Sequence, residues 1–199
     1  MKLDPNLSRD GSPWVLCLDL QRDLAPQRAT AERRRQIATC QRFLGLARAA
    51  GWPLVHSLHR SCDPAVTPAP IGGLEPRPFE PVFVRPGLSA FSHRRLNEFA
   101  EAERGGELIL VAVTIGPACL ATAFDAHDRG LRVVLAEDTL AACAFGPFAS
   151  ATVRGVLLSA AGPFVRRTTT LELLQKAART GQPAAANDII GETDFHERL

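Results

Sequence analysis

Short apolar runs alternate along this chain with longer stretches of helical periodicity, and no other feature restricts its fold as much. Trp14 to Leu18 (WVLCL), Pro53 to Leu58, Pro81 to Val84, Glu107 to Val113 (ELILVAV), Leu131 to Ala136 and Phe164 to Arg167 read as strands. Between and after them, 29–50, Arg94 to Arg104, Pro117 to Arg129, Phe148 to Ala161 and Thr170 to Arg179 read as helices, with Gly51 and Gly130 placed as terminators. Strands that alternate with helices pair in parallel, because a parallel neighbour needs a crossover and the crossover is usually a helix. The expected fold is therefore α/β: a single-domain, doubly wound, mostly parallel six-stranded sheet with helices on both faces.

Length agrees with one domain. A chain of 199 residues buries roughly 70% of the surface its unfolded form exposes, enough for a core without disulfides or a structural metal. Residues 1–13 read as an N-terminal arm, 14–180 as the domain and 181–199 as a tail. The proline-rich stretch from Cys62 to Pro81 reads as a loop, either a lid or an arm that contacts a neighbouring copy. Cys17, Cys40, Cys62, Cys119 and Cys143 are odd in number and lack CxxC spacing, which argues against a disulfide framework and a zinc site. A net charge of +2 argues against nucleic acid as partner, and no apolar run has the length of a membrane span. The expected setting is the cytoplasm.

In a doubly wound sheet ligands bind at the carboxyl ends of the strands, so chemistry is sought there. Asp19 ends the first strand, as a general base or as a loop-anchoring aspartate. Arg85 ends the third and has three readings: it neutralises a thiolate, binds a substrate carboxylate, or pairs with Asp19. Cys119 lies just after Pro117 in the first turn of a helix. There the unpaired N–H groups favour a thiolate, although buried packing is the plain alternative. His56 and His59 read as a strand residue and a loop residue. Cys17, Cys40 and Cys143 read as packing, and His93 and His127 as facing solvent or filling gaps.

Taken together these segments resemble the isochorismatase-like cysteine hydrolases. WVLCLDLQRDL resembles the family's opening strand, with Gln21 two positions after Asp19. FVRPGLSAF resembles its third-strand motif, with Ser89, Ala90 and Phe91 in place, and VAVTIGPACLATAFDAHDRGLRVVLAEDTLAA its nucleophile segment, with Cys119, Thr122, Ala126, Gly130 and Asp138.

The resemblance implies a small amide substrate cleaved at its C–N bond, or a bound carboxylate, with no cofactor; where some relatives hold a metal with an Asp-x-His pair, His56 and His59 lie three apart, which argues against a metal here. Asp19 would take the proton of Cys119, and the N–H groups of Ile115 and Cys119 would form an oxyanion hole. A cis Thr114–Ile115 bond, pocket walls at Leu24, His59 and Phe91, and a homo-oligomer follow from the same resemblance. Arg85 departs from the family lysine. Only Lys2 and Lys176 are lysines, so no neighbouring residue restores it unless Lys176 reaches the crevice. Arginine cannot shuttle a proton, and its planar fork can clamp Asp19. A catalytically impaired relative that binds a small acid or a partner protein is the second reading.

Overall fold

The structure, a computed structural model, describes residues 12–22, 31–61, 63, 65, 67–103 and 105–179. Six strands form one parallel sheet: β1 (Trp14–Leu18), β2 (Leu54–His59), β3 (Val82–Arg85), β4 (Glu107–Ala112), β5 (Arg132–Ala136) and β6 (Arg166–Thr168), in the order β3-β2-β1-β4-β5-β6. The apolar strand β1 is central and buried on both faces, which is why it reads as an unbroken hydrophobic run. Trp14, Leu16 and Leu18 enter one layer with Phe99, Ala123, Ala126 and Leu158. They belong to or follow α2 (Arg94–Ala102), α3 (Pro117–Asp128) and α4 (Ser150–Ala161). Val15 and Cys17 enter the other layer with Cys40, Phe43, Leu44 and Ala47 of α1 (Ala31–Ala49) and Leu173 of α5 (Thr170–Arg179). Helices thus cover both faces.

Gly51 and Gly130 terminate α1 and α3 as their sequence positions suggest. Each has positive φ (71° and 78°), and the next residue donates to the carbonyl five positions back, Trp52 to Ala47 and Leu131 to Ala126. A side chain with a Cβ would resist that left-handed turn. The sixth strand differs from its expected place. Phe164 and Val165 donate their N–H groups to the Ala161 carbonyl in the turn after α4, and Phe164 stacks edge-on against Phe124, so the strand begins only at Arg166.

The latter part of the proline-rich segment, where described, is anchored to the domain. Arg22 donates to Ala69 and Ile71 to Leu20, and Ile71 and Leu74 are buried beside α1. Glu80 then takes both nitrogens of the Arg48 fork at 2.7 and 2.8 Å, the Arg77 N–H at 2.9 Å and His56 Nε2 at 2.9 Å. Burial raises the Glu80 carboxyl, but these bonds outweigh it and hold the group down at about 2. Because the folded value lies below the ordinary 4.5, its stabilising contribution is present above pH 4.5 and fades as pH falls toward 2. Glu80→Gln is expected to flatten this acid limb and lower Tm by about 2–10 °C at neutral pH, read by thermal melts across pH.

Candidate active site

The chain leaves β1 toward β2 on one side and returns to β4 on the other, so the crevice of this sheet opens between the ends of β1 and β4. A cavity of about 150 Å3 lies there, lined by Leu18, Asp19, Ala112, Thr114, Gly116, Pro117, Ala118 and Cys119. Asp19 follows β1 in a left-handed turn (φ 52°) that aspartate tolerates better than most residues, and its N–H donates to the Ser57 carbonyl of β2 at 2.9 Å.

Arg85, the last residue of edge strand β3, is fully buried and clamps the Asp19 carboxylate with both terminal nitrogens, at 2.7 and 2.6 Å. Its Nε donates to the Leu88 carbonyl at 3.1 Å, and one fork nitrogen also reaches the Ser57 carbonyl and hydroxyl at 3.4 and 3.3 Å. The guanidinium therefore sits behind Asp19, outside the cavity wall, and each of its three nitrogens donates a hydrogen bond. Of its three readings the pair with Asp19 is the one observed. Lys176 does not replace it, since its ammonium lies 3.4 Å from Glu107 at the amino end of β4, the far end of the sheet.

Cys119 occupies the third position of α3, after the cap residue Gly116 and Pro117. Its thiol is 2% exposed, and burial first, then the nearby Asp19 charge, push its pKa up to about 12. Burial thus opposes the thiolate that the helix start alone would favour: loss of water outweighs the favourable end of the helix dipole. Among the described residues no hydrogen bond joins Cys119 to Asp19, although both line the cavity.

The oxyanion geometry is corrected. No cis peptide bond occurs among the described residues, so Thr114–Ile115 is trans, and the Ile115 N–H donates to the Ala141 carbonyl at 2.7 Å. That donor is already engaged. The N–H groups of Ala118 and Cys119, in the first helical turn, lack intrahelical acceptors, and both residues line the cavity.

Other expected residues lie elsewhere. His59 is the final residue of β2 rather than a loop residue, and its backbone is bracketed by the Gln21 carboxamide. Phe91 is core, with the Arg129 guanidinium 4.9 Å above its ring. Neither lines the cavity, and Leu24 and Cys62 lie outside the described residues. His56, depressed mainly by burial, is held by Glu80. His93 and His127 stack on Phe83 and Phe164. Cys17 and Cys40 are buried as expected, whereas Cys143 is exposed, because the chain from 143 to 152 lies on the surface.

Several motif residues prove architectural. The Ser89 hydroxyl caps the short turn Ala90–Ser92, Ala90 donates to the Thr122 hydroxyl of α3, and Asp138 accepts from the N–H and hydroxyl of Thr170 at the start of α5. The residues missed were Ser57, which props the Arg85 fork, and Thr114, whose hydroxyl is buried without a partner.

A family model described as an isochorismatase domain matches residues 13–154. The chain belongs to the isochorismatase family. Among solved structures, an isochorismatase-family protein from Chromobacterium violaceum is 24% identical with a TM-score of 0.71, covering 85% of this chain and 95% of its own. An isochorismatase from Pseudomonas putida is 25% identical (TM-score 0.68; 81% and 90% covered). A cysteine hydrolase from Pseudomonas syringae pv. phaseolicola is 19% identical (TM-score 0.70; 89% and 95% covered). No match was found among curated protein sequences. Membership in the isochorismatase family makes the chain a hydrolase by descent and accounts for the order of its motifs. No helix among the described residues is long and apolar enough to cross a membrane.

Proposed function

We propose that this family member is a cysteine hydrolase that cleaves the C–N bond of a small amide. The observation that carries the reading is that Asp19 and Cys119, from the ends of different elements, line one cavity at the crevice of the sheet. In this scheme Asp19 takes the thiol proton as the Cys119 sulfur bonds to the amide carbon and the carbonyl electron pair moves onto oxygen. Return of that pair breaks the C–N bond, and the amine leaves with the proton held by Asp19. Water then attacks the thioester, Asp19 accepts its proton, and the acid departs as the thiol re-forms. Arg85 is a positioning residue that fixes both carboxylate oxygens. No cofactor enters the scheme.

The same reading places the protein in the cytoplasm as a homo-oligomer. Phe145, Phe148 and Val156, exposed before and along α4, are apolar side chains that a second copy would cover. A net charge of +2 gives no footprint for nucleic acid.

A second reading, a catalytically impaired relative that binds a small acid or a partner protein, draws on the two-point Arg85 clamp and the raised Cys119 thiol. Arg85→Lys separates the two, because an ammonium is a point charge that leaves the carboxylate freer to accept a proton. On a panel of small aliphatic and aromatic amides, the wild type is expected to turn over at least one, with R85K neutral or up to about tenfold slower in kcat/KM. An inert wild type that gains turnover as R85K would overturn the hydrolase reading in favour of binding.

A further inference from the structure

Thr114 stands at the mouth of the crevice, two residues beyond the end of β4, and contributes to the cavity wall beside Asp19 and Cys119. Its backbone is fixed by a parallel bridge to Ala141, with the flanking bonds Ile115 to Ala141 and Ala141 to Val113 at 2.7 and 3.1 Å. Its hydroxyl is shut off from solvent and has no hydrogen-bond partner among the described residues. Buried hydroxyls nearly always find one, and valine would fill the same volume without the penalty. An orphan of this kind at a cavity wall fits a partner brought by a ligand. Reaching an incoming group takes one turn about χ1, which carries the hydroxyl to the methyl position and the methyl to that of the β-hydrogen without moving the backbone.

We propose that the Thr114 hydroxyl is a substrate-binding donor that receives the acyl oxygen when Cys119 attacks. The inference rests on the cysteine-hydrolase reading above. It also answers a deficit in the site: the Ile115 N–H is engaged with Ala141, leaving the first turn of α3 as the backbone source of donors. Thr114 and Cys119 line the same cavity, so in this scheme charge developing on the acyl oxygen meets the Thr114 hydroxyl and the Cys119 N–H. The ligand class is a small acyl compound, an amide or ester, whose carbonyl oxygen accepts a hydrogen bond.

The test compares two reactions of the same sulfur in the full-length protein. With p-nitrophenyl acetate, Sγ bonds to the acetyl carbon, the carbonyl pair moves to oxygen and back, p-nitrophenolate leaves, and the thiol proton passes to Asp19. With iodoacetamide, Sγ displaces iodide at a saturated carbon and no oxyanion forms. Rates at Cys119 are read by peptide mass spectrometry for wild type, T114V, T114A and T114S. The ratio of acetylation to alkylation is expected to fall about ten- to a hundredfold in T114V and T114A and to stay near wild type in T114S. Tm of T114V is expected to rise by about 2–4 °C, since a buried orphan is removed. An unchanged ratio in T114V and T114A, including one where both reactions slow together, overturns the role of Thr114 alone. Wild-type Cys119 that alkylates but never takes up acetyl overturns the cysteine-hydrolase reading, and this inference with it.

Discussion

Asp19→Asn is expected to lower Tm by about 6–12 °C, a larger stability effect than a polar substitution at a partly open site usually brings. The reason lies in its partner. Arg85 is fully buried and its charge is balanced by the Asp19 carboxylate, so a neutral carboxamide leaves a guanidinium in the interior without a counter-charge. Breaking such a pair costs about 3–5 kcal/mol. The 16% exposure of the Asp19 side chain admits some water and favours the lower end, about 3 kcal/mol. Asparagine tolerates the left-handed backbone at this position about as well as aspartate, so the loss reports the pair and not the turn. Replacing both partners, as D19N with Arg85→Met, is expected to restore most of the stability, because the orphaned charge is gone. Thermal melts of the two variants decide the matter; a D19N melt equal to wild type would mean that the clamp adds nothing.

Cys119→Ala is expected to abolish turnover, by at least about a thousandfold in kcat, on any amide the wild type hydrolyses. The thiol is protonated at rest, its pKa pushed up to about 12, so the nucleophile exists only while Asp19 takes the proton and substrate excludes water. Alanine leaves nothing to attack. The fold tolerates the change, since one small side chain is lost beside a cavity that already exists, and the melt of C119A is expected within a few degrees of wild type. Retained turnover in a folded C119A would move the chemistry to another group, with water activated directly by Asp19 as the next assignment.

The architecture was legible because its strands carry their burial in their composition. WVLCL and ELILVA are apolar on both faces since both faces are covered. The misplaced sixth strand shows the limit: Phe164 and Val165 are apolar because they pack in the turn after α4, and an apolar pair alone does not tell turn from strand. The site divides the same way. Asp19, Arg85 and Cys119 stand at strand and helix ends where the topology directs attention; the structure pairs Arg85 with Asp19 and sets Asp19 and Cys119 in one cavity. The protonation of Cys119 was not legible, because a sequence displays the helix start but not the depth of burial that overrides it. Nor was Thr114, since a missing partner is visible only when every neighbour is known. Ser89, Ala90 and Asp138 were found as motif residues yet serve as caps and packing, so a matched motif marks shared construction as readily as shared chemistry.

β3 is an edge strand of four residues, Val82–Arg85, with Val82 and Val84 turned outward. Short edge strands open by local unfolding far more often than central ones. Asp19 is rooted beside the most protected strand of the sheet, but the cation that holds it hangs from one of the least protected. Each transient peeling of that edge would withdraw the arginine and leave the carboxylate unclamped, while β1, β4 and the helix bearing Cys119 stay folded. The lifetime of the Asp19–Arg85 pair is therefore expected to be set at the rim of the sheet, not in its core.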